Sequence, residues 1–566
     1  MLKRIIITEN KNEFSQVLNL NKNCSENIAI IVPNLSITND FIIDNNKIQV
    51  IELSINRKIK EHLEFLSFKY MKELAIKDNT IDNFISDYKF FYPYFKNEYI
   101  IKTLKEEHNV LSFQVQDNFI NRLLKESLLE EGINIEVLSI KTPFGQKFDP
   151  SNIPFKKIID LNLRKMQHKT NIYPSIILNK DFYKKKSYSF VNNKEKNVLI
   201  NASFHINFAR ALLPFEKTLL EKGFKIYYLA KTRRVANFLI NNSNQEIISI
   251  QELMNWNDIG NKSFNILNVL SENKSVQLYF KKNKFKLYEF EIYYNVIKKI
   301  FENNKFDLVM LADDVEPFGR YLVKQAKINL VKTINVQHGY IADKFNYSST
   351  ISDIMLTWDE KSSDIIKSYK TSDTQIITVG PPHLNNINQI SVKDPGKIII
   401  SWFPSPDTHI GDPEKLKKLF SDIIQTLQNS WESERVSLII KLHPFDSLKR
   451  YMSINKQLLD NKNVEIEIYQ NEINPIEVIM KSDFVIAMNT SVVYEAHLIG
   501  KPIFAYNPHS EELNPTLEPY YEEIFTNKED FANFICGNIK PILKMPPLKT
   551  EAKDLDNKLI EELLEL

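Results

Sequence analysis

The sequence predicts an α/β protein made of doubly wound, Rossmann-like units, two of them facing a cleft, with a further α/β domain ahead of them. Three observations predict this. Short β-branched runs such as Leu438-Ile439-Ile440 and Phe484-Val485-Ile486 read as parallel strands buried on both faces. Helical patterns alternate with them, the signature of βαβ units. Each run ends abruptly in polar residues at its C-terminal end, where open α/β sheets collect ligands.

At 566 residues the chain exceeds what one hydrophobic core organises, so two or three domains are expected. The expected division is an α/β accessory domain over 1–185, a Rossmann-like domain over 190–390, a second over 391–545 and an amphipathic helix over 546–566. Hydrophobic content of 43% and charge of 25% are ordinary for a globular protein. A net charge of +2 gives no warrant for a nucleic-acid partner. Cys24 and Cys536 are the only cysteines, so neither a disulfide framework nor a cysteine-based zinc site is indicated, and a reducing, cytoplasmic setting fits. The N-terminal Ile5-Ile6-Ile7 is too short for a signal peptide, and no apolar run approaches the ~18 residues of a membrane span. Any membrane contact is expected to be peripheral, at the inner face. The 11 glycines form neither GxGxxG nor GxxxxGK. A phosphate must then be held by helix ends and side chains.

In the first domain, strands are expected at Arg4–Thr8, Ile28–Val32 and Ile48–Leu53, then a helix at Arg57–Ile76. A strand, a helix (Phe119–Glu131) and a strand follow within Val110–Val137. Lys184–Lys196 is polar and charged, a linker pattern. The regular alternation then starts: strand Val198–Ala202, helix Ala209–Lys222, strand Lys225–Ala230. Strand Phe306–Ala312, a helix from Glu316 to Lys327, and strand Thr333–Gln337 come next. Strand Ile354–Trp358, helix Lys361–Tyr369 and strand Gln375–Val379 complete this unit before a Pro-containing hinge near 381–396. The last unit opens at Lys397–Trp402 and ends near Phe525.

Strand Leu438–Ile440 delivers Lys441, His443 and Pro444. Lys441 and His443 share a side, where the imidazole suits a phosphate and the lysine would add charge or be a surface lysine. Strand Phe484–Ile486 delivers Asn489, Thr490 and Ser491 before a helical pattern over Val492–Gly500. A helix opened by small hydroxyl residues offers free N–H groups and a positive dipole end to a phosphate. Glu495, one turn down, points toward a ribose hydroxyl or pairs with a lysine such as Lys501. Asp313, Asp314 and Glu316 follow strand Phe306–Ala312. They suit a helix start and equally suit a general base for an acceptor hydroxyl. His338, in Gln337-His338-Gly339-Tyr340, is either a cleft-mouth residue, with Gly339 permitting a tight turn, or a buried histidine bonded to backbone. His205 holds the corresponding position after the first strand of its unit. His383 packs beside the hinge. His497, Trp358 and Trp402 read as structural, and Asp554-Leu555-Asp556 as a solvated face. Nothing has metal-ligand spacing, so neither a metal nor a cofactor is implied.

INVQHGY, ITVGPP, KLHPF and SDFVIAMNTSVVYEAHLIGKPIFAY occur in an order that resembles the GT-B glycosyltransferases of bacterial capsule, lipopolysaccharide and teichoic-acid synthesis. The resemblance spans Asn197 to about Pro541. His443-Pro444 followed by a hydroxyl-rich helix end is similar to bacterial sialyl-, polysialyl- and Kdo transferases, and a related pattern occurs in CDP-glycerol polymerases. The resemblance implies a metal-independent glycosyltransferase of the GT-B fold. It would use a nucleotide-sugar donor, with a CMP-sugar such as sialic acid or Kdo favoured, and a glycan or glycolipid acceptor in surface polysaccharide synthesis. A CDP-polyol phosphotransferase, a sugar-nucleotide 2-epimerase and a non-catalytic GT-B scaffold are the alternatives. Asn489-Thr490-Ser491 replaces the family's Ser pair, and Asp313-Asp314-Val315-Glu316 lacks the glycine that ends the sialyltransferase acidic motif.

Overall fold

A computed structural model describes residues 4–8, 11–21, 23, 26–32, 47–52, 55, 57–77, 79–108, 112–116, 119–131, 133–138, 195–203, 205–253, 274–341, 344–370, 372–384, 397–404, 413–430, 435–443, 464–470, 473–510, 513–514 and 517–535. Pro444, most of the linker, the hinge beyond Leu384, the two cysteines and the 546–566 helix with Asp554 and Asp556 lie outside the described residues.

Three wholly parallel sheets form. The first holds β1 (Arg4–Ile7), β2 (Ile28–Val32), β3 (Ile48–Glu52), β4 (Ser112–Gln116) and β5 (Ile135–Leu138), in the order β3-β2-β1-β4-β5. The second holds β6 (Lys196–Ser203), β7 (Phe224–Ala230), β8 (Glu246–Ser249), β9 (Leu308–Leu311), β10 (Lys332–Val336), β11 (Ile354–Thr357) and β12 (Gln375–Thr378). Its order is β12-β11-β10-β9-β6-β7-β8. The third holds β13 (Lys397–Phe403), β14 (Arg435–Lys441), β15 (Val464–Tyr469), β16 (Phe484–Ala487), β17 (Ile503–Tyr506) and β18 (Glu523–Phe525), in the order β15-β14-β13-β16-β17-β18. In each sheet the first strand lies inside the order, flanked on one side by the second strand and on the other by a later one. The strand order therefore reverses beside β1, β6 and β13, which leaves a crevice between two strand ends in each unit. The expected α/β class, with two doubly wound units across a cleft in the GT-B manner, is the observed one.

The strands that were expected begin and end within about three residues of their expected positions, while β8, β15 and β17 were not expected. One helix differs: the single helix expected over Ala209–Lys222 is two helices, Ile206–Leu212 and Glu216–Glu221, joined by a 3-10 turn over Leu213–Phe215. Pro214, at the second position of that turn, has no N–H to donate and cannot continue the α-helical ladder.

The first unit does not keep its own crossover. Between β3 and β4 the chain forms α1 (Arg57–Lys77), a 3-10 stretch over Ile85–Phe91 and α2 (Tyr92–His108). Ile100, Ile101 and Leu104 of α2 pack with Ile5 and Phe113 of the first sheet. Phe68, Met71, Phe84, Ile85 and Tyr88 instead share one core with Leu199, Val309 and Leu311 of the second. Arg320, 5% exposed on α3 (Pro317–Ile328), seals this junction. Its Nε and Nη2 donate to Asp82 at 3.1 and 2.8 Å, and its Nη1 donates to the Ser349 carbonyl at 2.6 Å. Lys324 adds a contact to Asp82 at 2.7 Å.

Candidate functional site

The crevice of the second sheet lies between the ends of β6 and β9. Beyond β6, His205 caps the helix Ile206–Leu212, its Nδ1 accepting from the Asn207 N–H at 3.3 Å. Burial, reinforced by the charges of His338, His443, Arg234 and Arg210, pushes its pKa down to about 4. Beyond β9, Asp313 turns the chain into α3. Its Oδ1 accepts from the N–H groups of Val315 at 2.8 Å and Glu316 at 3.1 Å. A Cβ on Gly319 would stand 1.9 Å from the Asp313 carbonyl oxygen, so only a hydrogen fits where helix and turn meet. Burial first, and the neighbouring Glu316 second, raise the Asp313 carboxyl to about 7, against the pull of its two N–H bonds.

Asp314 has another task. It is fully buried and accepts from Asn335 Nδ2, Thr350 Oγ1, the Ile351 N–H, and the Ser352 N–H and Oγ, at 2.6 to 2.8 Å. The expectation that it belongs with the catalytic acids is corrected: it bolts the 350–352 turn to the sheet. Successive residues leaving a strand point to opposite sides, so Asp313 and Asp314 cannot both face the cleft.

His338, next but one after β10, donates from Nδ1 to the Ala312 carbonyl at 2.6 Å. A carbonyl only accepts, so the proton is on Nδ1, and Nε2 is left to accept from Tyr347 Oη at 3.5 Å. Burial pushes this pKa down to about 4 as well, so the ring is neutral at pH 7. A Cβ on Gly339 would meet nothing within 4 Å, and its φ is not left-handed. The turn there does not require glycine.

In the third sheet, β14 ends in Lys441, Leu442 and His443. Lys441 is 5% exposed, and its ammonium donates to the carbonyls of Gln470 and Leu442. It ties the ends of β14 and β15 together, neither a surface lysine nor an uncommitted charge for a ligand. Beyond β16, Asn489 takes a left-handed φ of 51°, a conformation asparagine tolerates better than most residues. Its Oδ1 accepts from the Asn514 N–H at 2.8 Å, and its own N–H donates to Tyr521 Oη at 3.3 Å. Thr490 caps α4 (Ser491–Ile499), accepting from the Val492 N–H at 3.5 Å. Gly500, left-handed at φ 77°, ends that helix. Among the described residues the Ser491 hydroxyl takes part in no hydrogen bond. Glu495 lies 3.3 Å from His383 Nε2, while Lys501 donates to the Ser482 carbonyl at 2.6 Å instead.

One cavity of about 1180 Å³ runs between the two sheets. Asp313, Glu316 and His338 line one wall, and Lys441, His443, Asn489, Thr490, Ser491 and Glu495 the other. Arg210, Arg234 and Asn335 line it as well and were not singled out by the sequence. Arg234, Phe238 and Asn242 lie at helical spacing on one face of α5 (Arg233–Asn242), a pattern that by itself reads as a solvated face. The two halves touch where Trp358 stacks on Tyr494 at 5.6 Å and 13°, and where Tyr340 Oη donates to the Asn489 carbonyl at 3.5 Å. No group of three or more His, Cys, Asp or Glu side chains among the described residues could hold a metal ion. No described helix is long and apolar enough to cross a membrane.

No protein-family model and no curated protein matches the chain. Solved structures similar to it include UDP-GlcNAc 2-epimerase from Methanocaldococcus jannaschii, at 14% identity and a TM-score of 0.45, covering 65% of this chain and 99% of that one. UDP-GlcNAc 2-epimerase from Neisseria meningitidis bound to UDP-GlcNAc is similar at 15% identity and a TM-score of 0.44, covering 65% and 100%. CalG4, the calicheamicin glycosyltransferase, is similar at 13% identity and a TM-score of 0.39, covering 65% and 95%. At TM-scores under 0.5 these likenesses add nothing to the strand orders, on which the fold rests.

Proposed function

We propose that the protein is a glycosyltransferase that moves a sugar from a nucleotide-sugar to a hydroxyl of a glycan or glycolipid acceptor. One observation carries this reading: a carboxyl group tuned to about 7, Asp313, lines the same cleft as the open N-terminus of α4. The N–H groups and hydroxyl at Ser491, with His443 lining the same cavity, suit the donor phosphate and the charge that develops on it as the nucleotide leaves. Ionised Asp313 accepts the proton of the acceptor hydroxyl. The hydroxyl oxygen then bonds the anomeric carbon as the bond from that carbon to the phosphate oxygen breaks.

Glu316 adds to the burial that holds the Asp313 pKa near the working pH. His338, fixed as the Nδ1–H tautomer, would accept from the incoming hydroxyl at Nε2 in exchange for Tyr347 Oη. Closure of the halves would align the reactants and exclude water. The family resemblance adds the narrower reading: a CMP-sugar donor, surface polysaccharide synthesis and peripheral contact with the inner membrane face.

The test is nucleotide release from CMP-, CDP- and UDP-sugars with and without acceptor glycans. Release that requires an acceptor is expected. Conversion of the donor sugar to its 2-epimer without an acceptor would replace this reading by an epimerase.

A further inference from the structure

Two arginines confined within the described structure have opposite circumstances. Arg320 is buried and spends its guanidinium on Asp82 and the Ser349 carbonyl. Arg210, partly buried on the helix Ile206–Leu212, makes no hydrogen bond and no ion pair within 4 Å among the described residues. Its Cζ lies 5.7 Å over the Phe238 ring, a contact that holds the plane of the guanidinium without using its N–H groups. Burial is the main influence lowering its pKa, and Arg234 lowers it further. Glu495 and Glu477 act on it in the opposite sense. They line the same cavity from the third unit.

A partly dehydrated guanidinium with idle donors beside a second arginine is costly as it stands. An anion in the cavity would relieve both the lost hydration and the repulsion. Arg234, Phe238 and Asn242 extend the same wall along α5, so the anion would arrive on a group with an apolar face to lay against Phe238.

We propose that Arg210 and Arg234 form a second anion-binding subsite, on the wall of the second unit, for a carboxylate or phosphate carried by the substrates in addition to the group held at Ser491. This rests on the nucleotide-sugar reading for its substrates, though not for the anion itself. The second phosphate of a nucleoside diphosphate and an acidic group on the acceptor glycan have the same chemistry here.

The experiment is calorimetric titration of the full-length protein and of Arg210→Gln and Arg234→Gln with UMP, UDP, pyrophosphate, lactose and sialyllactose. The wild type is expected to prefer UDP to UMP, or sialyllactose to lactose, by about tenfold or more. Each variant should abolish that preference, keep UMP affinity within about twofold and keep its melting temperature. Arg210→Lys should restore part of the preference. Loss confined to UDP assigns the subsite to the donor, and loss confined to sialyllactose assigns it to the acceptor. A wild type with neither preference, or variants that bind every probe as the wild type does, overturns the subsite. Pyrophosphate binding that depends on Arg210 in a protein that binds neither UMP nor UDP would keep the subsite while refuting the nucleotide reading.

Discussion

The crevices of the second and third sheets are built alike and furnished differently. At the ends of β6, β9 and β10 stand side chains whose protonation burial has moved: Asp313 upward, His205 and His338 downward. At the end of β16 stand backbone N–H groups, a Thr490 cap and the Ser491 hydroxyl on a helix end, which carry no titration at all. One strand order thus supports a wall of buried titratable groups and a wall with an open helix end, the first suited to the proton and the second to the donor phosphate of the proposed transfer. The division follows from local chemistry, because a helix dipole favours negative charge while a desolvated carboxyl resists it.

The largest expected effect separates the two walls. Asp313→Asn keeps an oxygen to accept from the Val315 and Glu316 N–H groups but loses the base. Turnover should fall by about 10³-fold with nucleotide affinity unchanged by calorimetry. Wild-type activity in this variant would move the base elsewhere and end the comparison. In the wild type the rate should rise with pH through about 7, as Asp313 ionises.

Next comes the support of the proton-handling wall. Asp82→Ala leaves Arg320 buried without its carboxylate, which should cost about 3 kcal/mol of stability in urea denaturation. A loss under about 1 kcal/mol would mean that the 57–91 segment merely rests on the second unit.

A smaller effect sharpens the other wall. Ser491→Ala should weaken nucleotide binding about tenfold, the worth of one hydrogen bond to a charged group, without displacing the pH profile. A displaced profile would show that the walls share their titration.

The last effect is one of stability. Asp313 has a folded pKa raised from 3.8 to about 7. Its ionisation therefore destabilises the fold, with no penalty below about pH 4 and a growing one from there to about pH 7. Asp313→Asn should be the more stable protein at pH 8, by about 4 kcal/mol, and no more stable at pH 4. Equal stability at both would place the carboxylate in a solvated setting.

Most strands were legible because buried parallel strands are written as apolar runs with few alternatives, and Leu438–Ile440 and Phe484–Ile486 are such runs; β8, β15 and β17 were not expected. The α4 end was legible too, since a cap, a hydroxyl and an apolar helix follow one another in the chain. The choice between Asp313 and Asp314 was not. It depends on Thr350 and Ser352, which approach only once β10 and β11 are paired. Lys441 misled because its partners are backbone carbonyls, which leave no mark in a sequence. Arg210 and Arg234 escaped because each sits in an ordinary amphipathic helix, and only the fold sets them side by side.

The helical segment over 57–91 bears on how the chain is made. A ribosome releases α1 and the Ile85–Phe91 stretch well before Leu199 and Val309, the residues they are to pack against. The first unit must wait with Phe68, Met71 and Tyr88 uncovered until the second has emerged, although N-terminal domains ordinarily settle first during synthesis. Assembly therefore runs backward at this junction, and a shortened chain ending before β9 would present that apolar face to chaperones.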